Sequence, residues 1–212
     1  MDPTTPTLPR PHQGIDYRRT QRDRAECDFY VEPAWAVEAL LDVEGFAGRI
    51  WDPACGEGTI PKVLEARGYL SVIATDPIDH GYGITGVGWD FPALDTRGME
   101  RTDHIICNPP FKLAEPFVRQ GLKLARSKVA LLLRLAFLEG QARVRLFAET
   151  PLARVHVFAR RVSMPPGGQG IEAKGGAVAF AWFVWDHGHR GPPTLHWLNP
   201  VKGADLFTEP RP

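Results

Sequence analysis

Strand-like and helix-like segments alternate along the 212-residue sequence, which predicts an α/β fold built on a parallel or mostly parallel sheet with helices on both faces. Two further observations point the same way. The first strand-like segment runs into a Gly-rich turn and then a helix, and the next apolar strands close on an acidic or amide side chain, Asp76 or Asn108.

Each element has its own signal. Trp35, Val37, Leu40 and Leu41 fall at helical spacing after Pro33, and Gly45 stands where that helix can stop. Residues 49–52 form a short apolar strand, Lys62 to Ala66 read as helix, and Gly68 caps it. Leu70 to Ala74 and His104 to Cys107 are continuous apolar strands. Residues 115–126 read as helix, 128–137 as a buried strand, 139–148 as helix, 153–160 as strand and 177–185 as a last strand. The Gly- and Pro-rich stretch from Ser163 to Gly176 links the last two strands as a long loop. Phe180, Trp182, Phe183 and Trp185 read as sheet core with one exposed edge residue, and His104 and His156 as packed or surface histidines. The expected organisation is a mobile N-terminal arm (1–26), a single domain (27–190) and a Pro-rich C-terminal tail (191–212).

Composition narrows the class. A 43% hydrophobic, 24% charged chain can build one full core, and 25 basic against 25 acidic residues give no global field toward a polyanion. Polyanion contact must therefore be local. The longest apolar run, Val129 to Leu138, is interrupted by Arg134 and is too short to span a bilayer. With no apolar signal region at the start, the expected location is cytoplasmic, with no membrane partner. Cys27, Cys55 and Cys107 never form a Cys-x-x-Cys, which argues for reduced thiols and against a structural metal; His187 and His189 lack a third ligand nearby.

The segment Asp52-Pro53-Ala54-Cys55-Gly56-Glu57-Gly58 lies between a strand and a helix, where glycines let the backbone approach a ligand. Asp76 closes the next strand at the separation where a carboxylate accepts both ribose hydroxyls of a nucleotide-like cofactor. A dinucleotide is disfavoured because Pro61 replaces the third glycine and Asp52 would sit beside a pyrophosphate. A cationic cofactor without phosphate suits the loop better. Asn108-Pro109-Pro110-Phe111 ends the following strand, since neither proline can continue a ladder. The Asn108 side chain and the Pro109 carbonyl then face one pocket as two acceptors. Such a pair can hold both hydrogens of an exocyclic amine and turn its lone pair toward an electrophile, with Phe111 as a stacking face.

Taken in order, Asp-Pro-Ala-Cys-Gly-Glu-Gly, Asp76, Asp90-Phe91 and Asn-Pro-Pro-Phe resemble the class I S-adenosylmethionine-dependent amino-methyltransferases, especially phage-type adenine-N6 enzymes. The resemblance covers residues 27–111 well and 112–186 more loosely. It implies a Rossmann-like class I methyltransferase fold, a seven-stranded mixed sheet with the last strand antiparallel and helices on both faces. It also implies S-adenosyl-L-methionine as cofactor. By position, Asp52, Ala54, Cys55, Gly56 and Gly58 would cradle its methionine side, Asp76 with Pro77 its ribose, and Asp90 with Phe91 its adenine. Phe29-Tyr30-Val31-Glu32-Pro33 is similar to the family segment that packs on the methionine moiety, which places Tyr30 and Pro33 at the site. The sequence departs from many members in having Glu32 for Thr and Ala54 for Phe. Glu57 is expected to face solvent at a helix start rather than touch the cofactor's amino group.

The implied reaction is methyl transfer to the N6 amine of adenine in nucleic acid, with DNA favoured over RNA, the base being extruded into the pocket formed by residues 108–111. Guanine-N2 in RNA, a glutamine amide in protein, or a catalytically silent cofactor-binding subunit are the alternatives. The family usually carries a large target-recognition domain after the last core strand. Only a short tail follows His187, which argues against autonomous, sharply sequence-specific DNA reading. Between Lys112 and Lys174, twelve basic residues face four acidic ones, and Arg160 and Arg161 beside the long loop are the best-placed for substrate contact. The arginines of the N-terminal arm are expected to add salt-sensitive affinity.

Overall fold

In the computed structural model, which describes residues 29–168 and 178–198, Pro33 holds the chain extended immediately before helix α1 (Ala34–Leu41). Strand β1 (Ile50–Asp52), helix α2 (Thr59–Ala66) and strand β2 (Val72–Asp76) follow as expected. A two-residue strand β3 (Ile84–Thr85) and two short 3-10 turns lead to β4 (Thr102–Cys107). Helix α3 (Ala114–Leu124) passes directly into β5 (Ala125–Arg134), and α4 (Gln141–Glu149), β6 (Leu152–Phe158), β7 (Phe180–Asp186) and β8 (Thr194–Leu198) follow among the described residues.

Among the described residues, eight strands form one sheet in the order β3-β2-β1-β4-β5-β7-β6-β8, one strand more than the seven expected. Strands β1 to β5 run parallel, β7 is antiparallel to both β5 and β6, and β8 runs parallel to β6. The antiparallel strand is therefore not the last. Thr194–Leu198 falls within the expected Pro-rich tail, because an edge strand with four exposed residues shows no buried periodicity to read. The apolar run after Arg134 leaves the sheet in a 3-10 turn, since the ladder with β7 ends at the Arg134–Phe180 pair.

Two apolar layers fill the space on either side of the sheet. Helices α1 and α2 pack Val37, Leu40, Ile60 and Leu64 on one face, and α3 and α4 pack Phe117, Val118 and Leu146 on the other. Strand β7 serves both: Trp182 and Val184 point to the first layer, Phe183 and Trp185 to the second. All four of the aromatics expected in this strand are buried; none is an exposed edge residue, because β7 lies between β5 and β6. Away from the parallel strands' carboxyl ends, buried Glu44 accepts hydrogen bonds from Lys128 (2.8 Å) and Arg154 and lies 3.0 Å from His156 Nε2. His104 packs edge-on against Phe46 and bonds the Ala47 backbone, so both histidines are buried and partnered. The N-terminal arm with Cys27, residues 169–177 of the long loop and residues 199–212 lie outside the described residues.

Candidate active site

The order β2-β1-β4 makes β1 the point where the chain's winding reverses, and a cleft opens at the carboxyl ends of these three strands. It encloses about 870 Å3, part of it open to solvent. After β1 the chain turns through Pro53–Gly58, tied down by Cys55 N–H donating to the Thr75 carbonyl (3.1 Å) and Gly58 N–H donating to the Cys55 carbonyl (2.7 Å). Gly56 and Gly58 have φ of +51° and +82°, a conformation that other residues rarely adopt. A Cβ on Gly56 would come within 2.7 Å of the Phe29 ring, and one on Gly58 would run into the Tyr82 ring.

Asp76 ends β2 with its carboxylate turned toward that loop: one oxygen accepts from Gly56 N–H (3.0 Å), the other from Ile78 N–H (2.8 Å). Burial pushes its carboxyl up, opposed by those two amides and by the nearby His80. Asp52 is pushed well above the usual carboxylate range by burial and by the charges of Glu32 and Asp76, against hydrogen bonds from Ala54 N–H and the Cys107 thiol. Burial raises Glu32 to about 7. Three carboxyl groups thus lie buried around one cleft, and burial, reinforced by their charges, keeps the Cys55 and Cys107 thiols protonated.

Asn108 follows β4, and its orientation is fixed by chemistry. The amide nitrogen donates to the Tyr30 carbonyl (2.9 Å) and to Glu32 Oε2 (2.8 Å), while the buried Oδ1 accepts from none of the described residues. Flipping the amide would press Oδ1 against two acceptors. Phe91 closes the wall behind, with its ring 5.3 Å from that of Trp51 and 5.0 Å from that of Phe117.

The segment before α1 is pinned by the stretch of chain that follows β6. Val31 N–H donates to the Pro165 carbonyl and Gly167 N–H to the Phe29 carbonyl, each at 3.0 Å, while Gly168 N–H donates to Glu57 Oε1 at 2.8 Å. The Phe29 ring stacks on His80 with centroids 3.9 Å apart, so the pre-helix segment and the loop after β2 meet beside the cleft.

Of the positions read from the sequence, Tyr30, Ala54, Cys55, Gly56, Asp76, Pro77, Asp90, Phe91, Asn108 and Pro110 line the cleft together. Pro33, Asp52, Gly58, Pro109 and Phe111 do not. Pro33 starts α1, Asp52 is turned inward to Ala54 and Cys107, and Gly58 is roofed by Tyr82. Phe111 lies between Tyr30 and Phe180 (5.7 and 5.5 Å), with the Arg134 guanidinium 4.5 Å from its centre, so its ring is engaged rather than open to the cleft. Glu57 is exposed, as expected, and it also lines the cleft and accepts from Gly168 N–H. Sequence reasoning did not place Ile78, His80, Leu113 or Phe117 on the wall. Helical spacing after Pro110 could have marked Leu113 and Phe117, whereas His80 carries no pattern at all.

Among the predicted substrate contacts, exposed Arg160 lies 4.2 Å over the Trp35 ring. Much of the basic excess elsewhere is neutralised: Arg119 pairs with Glu115, Arg145 with Glu149, and Arg154 with Glu44 and Asp186.

No family model and no curated protein matches the sequence. Solved structures do match its fold. A modification subunit from Vibrio vulnificus, ascribed to a type I restriction enzyme, superposes with a TM-score of 0.54 at 17% identity over 88% of this chain and 51% of its own. A protein of Agrobacterium tumefaciens predicted to be an O-methyltransferase gives 0.53 at 16%, over 79% and 86%. A Listeria monocytogenes protein ascribed to the class I S-adenosylmethionine-dependent methyltransferases gives 0.50 at 15%, over 78% and 62%. The chain spans about half of the Vibrio protein and about three fifths of the Listeria protein. It has the Rossmann-like class I methyltransferase fold.

Proposed function

We propose that this chain is an S-adenosylmethionine-dependent N-methyltransferase whose acceptor is the exocyclic N6 amine of adenine in nucleic acid, DNA in preference to RNA. The observation that carries the reading is the Asn108 carboxamide: both its hydrogens are spent on Tyr30 and Glu32, and its buried oxygen has no partner among the described residues. A buried acceptor without a partner, on a side chain that lines a cleft, is costly unless a ligand donates to it. A planar NH2 is such a donor.

The cleft fits the cofactor on the chemistry of its wall. Glu32 and Asp76 present buried carboxylates and Asp52 lies just beneath, a lining that favours a cation and repels phosphate. When bound, S-adenosylmethionine supplies an electrophilic methyl group on a sulfonium centre. Asp76 would hold the ribose hydroxyls, Asp90 and Phe91 the adenine, and Ala54, Cys55 and Gly56 the methionine side. At the other end, Asn108 Oδ1 accepts one hydrogen of the target amine. Positive charge develops on that amine during transfer, so this acceptor binds the transition state more tightly than the neutral base. Exposed Arg134 and Arg160, each lying over an aromatic ring, support a polyanionic target over a protein side chain.

Incubation with tritium-labelled cofactor and bulk DNA, RNA or protein tests the reading. Label in N6-methyladenine is the expected result; label in guanine-N2 of RNA or in a glutamine amide would move the substrate, and cofactor binding without transfer to any of them would refute the enzyme.

A further inference from the structure

We propose that Glu32 is a positioning residue: with the Tyr30 carbonyl, its carboxylate takes both amide hydrogens of Asn108 and so makes Asn108 an acceptor only, which restricts the site to hydrogen-donating target groups. The inference rests on the functional reading above and assigns a role to a side chain that replaces the family's common threonine.

The geometry comes from three separate segments. Glu32 precedes α1, is 7% exposed, and lies within hydrogen-bonding distance of Asn108 at the end of β4. The backbone amide of Ile60, in the first turn of α2, favours the ionised form of this acid from a third segment. Asn108 has two donors and one acceptor atom in its side chain. With Tyr30 and Glu32 occupying both donors, no N–H remains to meet a carbonyl or a ring nitrogen of a substrate, and only Oδ1 is offered. A neutral neighbour such as threonine could accept or donate; a carboxylate can only accept. The charge also lies one hydrogen bond behind the group that meets the amine, where it polarises the amide toward a developing cation.

The groups facing Glu32 are Asn108, the Ile60 amide, Glu57, Asp52 and the Cys55 and Cys107 thiols. None of these is a cation, and burial holds its proton affinity near pH 7. The state of the acid can therefore be read in a titration.

Asn108 and Asn199 are the only asparagines in the sequence, so selective nitrogen-15 labelling of asparagine in the full chain yields two side-chain NH2 signals, and Asn108→Ala identifies one. Between pH 5 and 9, a hydrogen of the Asn108 amide is expected to shift with a midpoint near 7 in the free protein, and to lose that titration in Glu32→Gln. Sinefungin, a cationic cofactor analogue, should lower the midpoint. In the methyl-transfer assay under saturating cofactor, Glu32→Leu should reduce turnover by about tenfold to a hundredfold, as expected when a charge-assisted hydrogen bond is lost, with Glu32→Gln retaining more. An Asn108 signal that ignores pH in the wild type, or titrates identically in Glu32→Gln, overturns the assignment, as does Glu32→Leu at the wild-type rate. The amide signal needs neither substrate nor turnover. Failure of the wild type to transfer methyl groups would count against the functional reading alone, with the amide titration still deciding the grip of Glu32 on Asn108.

Discussion

Replacing Glu32 with Gln should stabilise the free protein, and by an amount that depends on pH. Burial lifts the Glu32 carboxyl from its ordinary 4.5 to about 7, so above pH 7 the folded state carries an anion that the unfolded chain ionises far more readily. The corresponding penalty is about 3 kcal/mol at pH 8, fades between pH 7 and 4.5, and is absent below, where both states are protonated. Gln has the shape of the protonated acid and keeps an acceptor for Asn108, so the variant does not share the penalty. For a chain of this size about 3 kcal/mol corresponds to a rise in Tm of about 6–12 °C. Calorimetric melting of both proteins at pH 4 and pH 8 measures it. Equal Tm values at pH 8, or a difference of the same size at pH 4, would refute the electrostatic account of this cleft.

Asn108→Ala should lower turnover about a hundredfold or more, the loss typical of one preorganised polar group, while titration calorimetry with sinefungin shows little change in affinity. Asp76→Ala should weaken sinefungin binding at least about tenfold by removing a charge-assisted acceptor, and unchanged affinity would displace the ribose from β2. Gly58→Ala should destabilise the fold by about 1–3 kcal/mol in urea titration, because φ of +82° and the Tyr82 ring both oppose a Cβ. Burial alone would raise the Glu44 carboxyl, yet hydrogen bonds from His156, Arg154 and Lys128 prevail and hold it down at about 2. Its contribution is thus present above pH 4.5 and lost as pH falls toward 2, and Glu44→Gln should melt at lower temperature than the wild type at pH 7 with the gap narrowing in acid.

The alternation of segments and the two loop motifs were legible because they are local. A strand that must stop at Asn108-Pro109-Pro110, and a turn that needs positive φ at Gly56 and Gly58, state their requirements within a few residues. The roles within the site were less so. Gly58 was expected to meet a ligand but meets Tyr82, and Phe111 was expected to be an open stacking face but carries Arg134. In both cases a partner 23 or 24 residues away decides, and nothing local encodes the approach.

What the sequence by itself determined is the order of elements, the α/β class and the short list of polar side chains at strand ends, since periodicity and turn chemistry act over one or two turns of chain. Tertiary structure alone decided that Glu32 and Asn108, 76 residues apart, share a hydrogen bond, and that residues 165–167 pin the segment before α1. It also decided that Thr194–Leu198 is a strand and that Glu44 anchors cations from β5 and β6. Hydrogen bonds and desolvation depend on which atoms meet in three dimensions, and burial is what turns an unremarkable Glu between Val31 and Pro33 into a weak acid that aims an amide.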